Sequence, residues 1–298
     1  MVKARKYVYV KHFNGFPKED DLELVEEELP PLQDDEYLVE AVYLSLDPYL
    51  RSSAFKLSLG TTYIAFQVAK VVQSKNAQHP VGQHVVGNLG WRTHTICNPK
   101  TQVTPLPNYG GLPLSLALGV LGVSGLTAYF GFLEICQPQP GETVVVTGAA
   151  GAVGSVVGQI AKIKGCTVVG VAGSDEKGKW LVDDLGFDKF VNYKDKDFVT
   201  KLAEATPKGV DCFFDNVGGE VCSNVMYRMN LRGRVALCGA VSCYNDVTPS
   251  KVTNFNAPLI WNEVKVEGFI VSRWSARFGE GVQGMVRWIK EGKLKLRR

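Results

Sequence analysis

The sequence predicts an α/β protein, a doubly wound parallel sheet in the second half of the chain preceded by a mostly-β region. Three observations carry this. From about residue 142 onward, six apolar, β-branched runs recur with helix-like segments between most of them. In the first such segment Val153, Val156, Val157, Ile160 and Ile163 fall at helical spacing and make one apolar stripe. Before residue 120 the apolar runs are short and separated by clusters of turn residues.

Taken in chain order, Tyr37–Leu46, Val68–Val72 and His84–Val86 read as strands of the first region, set apart by Pro30-Pro31, Asp34-Asp35 and Pro80-Val81-Gly82. Residues 101–133 carry no charge, and Leu112–Leu133 is long enough to cross a bilayer. Pro113 and Gly119, Gly122, Gly125 and Gly131 interrupt it, so the reading is two short buried helices, at about 114–121 and 125–136, broken near Val123-Ser124-Gly125. The domain boundary falls in 121–126, which divides the chain into 1–124 and 125–298. Strands follow at Thr143–Thr147, Thr167–Ala172, Lys189–Tyr193, Val210–Asp215, Arg234–Gly239 and Val264–Val271. Strands alternating with helices imply right-handed crossovers and a parallel sheet.

Bulk properties narrow the classes of function. With 298 residues and 45% apolar content the chain can bury a large core. A net charge of +3 gives no electrostatic case for nucleic acid or an anionic membrane. The cysteines (97, 136, 166, 212, 222, 238 and 243) are scattered and odd in number, and none forms a CxxC pair. The N-terminus MVKARKYVYVKHF lacks the apolar core of a signal peptide. A reduced, cytoplasmic protein is the expectation.

The strand Thr143–Thr147 leads into Gly148-Ala-Ala-Gly151-Ala152-Val153-Gly154 and then the amphipathic helix. A pyrophosphate must approach the backbone closely, and a Cβ would collide with it; the helix start then offers free N–H groups and a positive dipole end. Gly151 and Gly154 fit those roles, and Gly158 would let the helix pack tightly on the sheet. The spacing is GxxGxxG rather than GxGxxG, so a tight turn without a ligand stays open as the alternative. In a Rossmann fold that selects NAD, an acid about 20 residues on holds the ribose 2′-hydroxyl. Here that position reads Ala172-Gly173-Ser174, which leaves room for a 2′-phosphate, with Lys177 as its counter-charge. The expected cofactor is NADP(H). Asp175 as a shifted acid, and Lys177 as a solvated helix-start lysine, are the competing readings.

The stretches KHFNGFP, LPPL, LSLDPYLR, LTAYFGFLEIC, GAAGAVGSVVGQIAK, GSDEK, LGFD, FDNVGGE and CGAVSCYN together resemble the medium-chain dehydrogenase/reductases. Within that superfamily they are similar to the zinc-free prostaglandin reductase/leukotriene B4 12-hydroxydehydrogenase branch, the alkenal double-bond reductases, from about residue 3 to 292. The resemblance implies a GroES-like β domain plus a Rossmann domain with the active site between them. It implies NADPH-dependent reduction of the C=C bond of α,β-unsaturated ketones and aldehydes, and a homodimer built through edge strands such as Val264–Val271. Carried over residue by residue, Gly151, Ala152, Val153 and Gly154 would hold the pyrophosphate and Lys177 the 2′-phosphate. Tyr193 would sit near the adenosine, and Asn216 near a ribose or the nicotinamide. Cys238, Gly239, Ala240, Val241, Ser242 and Tyr244, with Phe269, Ile270 and Val271, would wall the nicotinamide end.

Residue logic agrees on the absence of a metal. His12, His79, His84 and His94 show no HxxxH spacing, and Cys97 is the only cysteine in the first 135 residues. Hydride addition to the β-carbon of an enone pushes negative charge onto the carbonyl oxygen, which then needs a hydrogen-bond donor. Tyr244 is the candidate, since a phenol with a pKa of about 10 donates at pH 7. A half-buried core tyrosine is the alternative. Tyr49 in DPYL is a second substrate contact, whereas Arg51 is expected in an intramolecular ion pair and Cys238 as a packing thiol.

Two departures from the family pattern stand out. Tyr63-Ile-Ala-Phe66 replaces a glycine and a polar residue, and a phenylalanine there would reshape the substrate cleft. The sequence ends at Leu296-Arg-Arg298, where family members continue into a segment that returns to the first domain. The expectation is a less stable form that binds NADPH more weakly. Competing functions are a zinc-free quinone oxidoreductase and a truncated NADPH-binding form with little activity.

Overall fold

A computed structural model describes residues 2–296, so Arg297 and Arg298, the last two residues of the C-terminal departure, lie outside the described residues. The chain forms two compact units. One comprises the chain up to Leu118 together with Tyr244–Val247; the other comprises Gly119–Cys243 and the chain from Thr248 onward.

The first unit is antiparallel. Strands β1 (Val2–Tyr9) and β2 (Leu22–Leu29) pair along their whole length. Strands β3 (Tyr37–Leu44), β4 (Phe66–Ser74), β5 (His84–Asn88), β6 (His94–Cys97) and β7 (Val103–Pro105) form a five-stranded sheet in the order β6-β3-β4-β5-β7. The short helix α1 (Tyr49–Ser53) joins β3 to β4. Tyr37, Val39, Ala69, Val71, Val85 and Cys97 fill the sheet's core. The β1–β2 pair mixes a small apolar face, Val2, Ala4 and Leu29, with several ion pairs. Lys3 pairs with Glu26 at 3.3 Å, and Glu27 takes both Lys6 and Arg92, at 2.5 and 2.7 Å.

The charge-free stretch runs across the division of the chain between the two units. In place of a helix over 114–121 the structure has a single 3-10 turn, Leu114–Leu118, which belongs to the first unit. Helix α2 (Val123–Phe130) follows and continues as a wider π-type turn over Gly131–Cys136. Phe130, Phe132 and Cys136 are fully buried, so this second part is apolar because it is core, whereas residues 101–116 are mostly exposed or half-buried. Among the described residues no helix is long and apolar enough to cross a membrane.

Strands β8 (Thr143–Thr147), β9 (Thr167–Ala172), β10 (Lys189–Asn192), β11 (Val210–Asp215), β12 (Met229–Leu237) and β13 (Lys265–Gly268) form one sheet in the order β10-β9-β8-β11-β12-β13. Every pairing in it is parallel. This is the doubly wound order, with its switch point between β8 and β11. Helices α3 (Gly154–Ile163), α4 (Asp175–Lys179), α5 (Phe198–Ala205) and α6 (Gly219–Met226) make the crossovers, and α7 (Asn256–Trp261) and α8 (Phe278–Lys290) follow.

Three strands of this sheet end earlier than the apolar runs suggest: β10 by one residue, β12 and β13 for physical reasons that the contacts show. After Leu237 the N–H groups of Cys238 and Gly239 both turn to the Asp215 carbonyl, at 2.8 and 3.1 Å, and leave the ladder. After Gly268 the Phe269 ring turns inward against Phe214 and Trp274. It lies where a Cβ on Gly131 would stand.

Candidate active site

The turn after β8 is glycine-built for two separate reasons. Gly148 has a φ of +58°, in the left-handed region that glycine enters freely. A Cβ on Gly154 would overlap the Gly148 carbonyl oxygen and stand 2.8 Å from Ala149 Cα, so the backbone of the turn itself demands glycine. Gly151 and Ala152 are exposed, and a Cβ on Gly151 would meet only the Gly148 oxygen, at 3.1 Å. Val153 stands at the N-cap of α3 and brings no side-chain acceptor to its first N–H groups. The result is a bare, positively polarised helix start beside an uncovered stretch of backbone, the arrangement that suits a phosphate. Gly158 has a different job from the one expected. Its neighbour is the Phe187 ring, which also lies 3.0 Å from the Cβ position of Gly170 in β9. Phe187 is thus wedged between α3 and β9.

The carboxyl ends of β8, β11 and β12 are laced together around one buried residue, Asp215, through its carboxylate and its main-chain carbonyl. Asp215, 1% exposed, accepts from the Thr147 hydroxyl at 2.5 Å and from the N–H groups of Val217 and Gly218 at 3.0 Å each. Asn216 donates through its amide to the Thr147 carbonyl at 2.8 Å, and its backbone N–H donates to the Thr147 hydroxyl at 3.0 Å. Ser242 then closes the lacing, its N–H and hydroxyl both donating to the Val217 carbonyl, at 3.0 and 2.6 Å. Gly218 and Gly219 adopt φ values of +70° and +63° directly beneath Ala240 and Ser242. Asn216 and the run Cys238, Gly239, Ala240, Val241 and Ser242 are therefore neighbours, brought together by Asp215 and Thr147. Sequence reasoning passed over both of those residues. The available signal was an acid at a strand end followed by Asn-Val-Gly-Gly.

At the end of β9 the residues sort by partner. Ser174 caps α4, its hydroxyl accepting from the Lys177 N–H at 3.3 Å. Asp175 accepts from the Asn192 amide at 3.0 Å, which turns this acid toward β10. Tyr193 stands over Gly173, its ring 2.9 Å from where a Cβ would be. Lys177 is exposed and has no ion-pair partner among the described residues.

After β13, Ile270 is 74% exposed, whereas the Phe269 ring is core. Burial, and then the charge of Asp215, push the Cys238 thiol up to about 12, so it stays a neutral packing group.

In the first unit, α1 presents Tyr49, Leu50 and Arg51. Tyr49 is half-buried, and burial followed by the charge of Asp47 pushes its phenol up to about 12, which keeps it a donor. Tyr63, ahead of the half-buried Phe66, is buried, and its hydroxyl donates to the Leu50 carbonyl at 2.9 Å. Asp47 is also pushed up by burial, against a hydrogen bond from Ser45. Arg51 is held by neutral groups rather than in the expected ion pair: it donates to Asn245 Oδ1 at 3.2 Å and to the Gly15 carbonyl at 2.9 Å. Tyr244, half-buried, is the next residue to Asn245 and belongs with it to this unit. Among the described residues, no group of three or more His, Cys, Asp and Glu side chains is arranged to hold a metal ion.

Comparison with known proteins fits this geometry. Residues 5–105 match the N-terminal domain of oxidoreductase, and residues 152–291 match the family described as zinc-binding dehydrogenase. The chain is 48% identical to prostaglandin reductase 1 of Rattus norvegicus over 298 residues, which is 99% of this chain and 90% of the relative.

The chain belongs to the prostaglandin reductase branch of the medium-chain dehydrogenase/reductases.

Other members of the wider family lie further off. The NADPH-dependent curcumin reductase of Escherichia coli (strain K12) is 36% identical, over 99% of this chain and 88% of its own. The crystal structure of CurA in complex with NADPH from Vibrio vulnificus superposes with a TM-score of 0.91 at 36% identity, covering 98% of this chain and 90% of that one. For a prostaglandin reductase the doubly wound unit is the expected cofactor carrier, and the uncovered turn at Gly151 with the unpaired Lys177 fits a phosphorylated dinucleotide.

Proposed function

We propose that the protein is an NADP(H)-dependent reductase of the C=C bond in α,β-unsaturated ketones and aldehydes. The observation that carries this reading is the kinship with prostaglandin reductase 1 across 99% of the chain. Curcumin, the substrate that the bacterial relative is named for, is itself a conjugated enone. The residues toward 125–298 serve the cofactor and those of 1–124 the substrate.

Bound NADPH would supply the hydride for the β-carbon. The chain's own groups do the rest. The N–H groups of Gly151, Ala152, Val153 and Gly154 bind the pyrophosphate, and Lys177 binds the 2′-phosphate. With Asp175 tied to Asn192, no acid there competes for the 2′ position. Tyr193 lies along the adenosine, and Asn216, Cys238, Gly239, Ala240, Val241 and Ser242 line the nicotinamide end together with Ile270, Val271 and the backbone of Phe269. Tyr244 donates to the substrate carbonyl oxygen as negative charge develops there, and Tyr49 contacts the substrate. Fixed donors of this kind are worth about 3 kcal/mol in the transition state. The free cysteines suit a reducing cytoplasm, and the exposed Ile260 and Trp261, near the edge strand β13, suit a homodimer interface.

The test is NADPH consumption against a panel of 2-alkenals, conjugated ketones and quinones. Tyr244→Phe is expected to lower kcat toward enones about 100-fold while NADPH still binds. Quinone turnover far above that of every enone would overturn the substrate class. A Tyr244→Phe rate equal to the native one would remove Tyr244 from the chemistry.

A further inference from the structure

Tyr244–Val247 is a short excursion. Cys243 before it and Thr248 after it belong to the second unit, yet these four residues belong by their contacts to the first. Something must hold so brief a segment, and Arg51 is placed to do it. Its Nε donates to Asn245 Oδ1 at 3.2 Å, its Nη2 donates to the Gly15 carbonyl at 2.9 Å, and its guanidinium lies 5.0 Å from the centre of the Phe13 ring. Two donors and one face of the group are thus engaged at once. A planar fork is pre-organised for such divergent contacts in a way that a lysine ammonium is not. Arg51 is itself fixed from below, because α1 is pinned where the buried Tyr63 hydroxyl takes the Leu50 carbonyl.

We infer that Arg51 is a positioning residue for the reduction: by holding Asn245 it fixes the segment Tyr244–Val247 and so sets where the Tyr244 hydroxyl stands. The inference rests on the reading of Tyr244 as the group that meets the substrate carbonyl.

The experiment is a double-mutant cycle on kcat for a conjugated enone, with NADPH affinity followed by nucleotide fluorescence. Arg51→Ala is expected to lower kcat by about 10- to 100-fold, the scale of a sub-ångström to 1 Å misplacement, with NADPH affinity unchanged. In a Tyr244→Phe background the same substitution is expected to have almost no further effect, because the group it positions is already gone. Asn245→Ala, at a half-buried loop position, is expected to reproduce the loss and decides the matter if Arg51→Ala does not fold. Losses that multiply across the cycle would overturn the inference and leave the role of Tyr244 standing. A Tyr244→Phe enzyme as fast as the native one would overturn both. A purely structural Arg51 would lower the melting temperature and act equally in both backgrounds.

Discussion

Two glycine turns lie at neighbouring strand ends of the same sheet, and they are built to opposite purposes. The turn after β8 is tight against its own backbone at Gly154 but uncovered at Gly151, where a Cβ would meet nothing except the Gly148 oxygen. The turn after β11 is left-handed at Gly218 and Gly219 and is already occupied: Ala240 Cβ stands 3.2 Å from the Cβ position of Gly218, and Ser242 Oγ stands 3.0 Å from that of Gly219. One set of glycines leaves a stretch of backbone uncovered, and the other makes room for the protein's own next loop. A glycine therefore reports that space or conformation is needed, and only its surroundings say for what.

Substitutions can break this comparison, and the largest effect is expected at Gly154. Gly154→Ala forces a methyl onto the Gly148 carbonyl, so both the fold of the turn and NADPH binding should fail, with a stability loss of about 3 kcal/mol or more by thermal or chemical denaturation. An alanine variant of native stability would show that the turn relaxes freely. Gly218→Ala combines a φ of +70° with contact at Ala240, and should cost about 1–3 kcal/mol. Because no phosphate is assigned there, its NADPH affinity at a temperature where it is folded should change far less than its stability. Equal losses in the two quantities would erase the distinction between the turns.

The open turn is sharpened by its partner at the end of β9. Lys177→Ala should weaken NADPH binding about tenfold, roughly 1.4 kcal/mol, and leave NADH binding and stability as they were. Comparable losses for the two nucleotides, read by fluorescence titration, would remove Lys177 from the 2′-phosphate.

The smallest effect is expected at the opposite end of the sheet, where no ligand is involved. Arg234 on β12 grips Glu142 with two hydrogen bonds, at 2.8 and 2.7 Å. Burial pushes the Glu142 carboxyl up, but those bonds and the charge of Arg234 outweigh it and hold the carboxyl below its usual range. A carboxylate depressed in the folded state contributes stability above its unfolded pKa and loses it as pH falls through the folded one. Glu142→Gln should therefore cost about 1 kcal/mol at pH 7. Its denaturation midpoint should converge with that of the native protein in acid. A constant gap between the two curves at all pH values would assign the effect to packing instead of charge.

Much of the second unit was legible in the sequence. Thr143–Thr147, Thr167–Ala172 and Val210–Asp215 are strands with those bounds, because a strand buried on both faces must be apolar and β-branched throughout. The first unit was less legible. In its β1–β2 pair the inward alternation Val2, Ala4, Val8 is broken by Lys6, which pairs with Glu27, so the apolar signature is short. Around the candidate site, the glycine turn at Gly151 and Gly154 could be read from spacing. For Asp215 the sequence offers an acid at a strand end before Asn-Val-Gly-Gly, but its bond to Thr147 has no pattern until the strands beside it are known.

The sequence alone determined the class of fold, the order of strand and helix, the glycine turn and the absence of an acid at Ala172-Gly173-Ser174, because each is a local demand of backbone geometry or of burial. Tertiary structure alone decided that Gly158 serves Phe187, that Asp175 faces Asn192, and that Arg51 holds Asn245, 194 residues away in the chain. Those pairings depend on which surfaces the folded sheet and loops bring together, and no local preference of the chain encodes a contact over that separation.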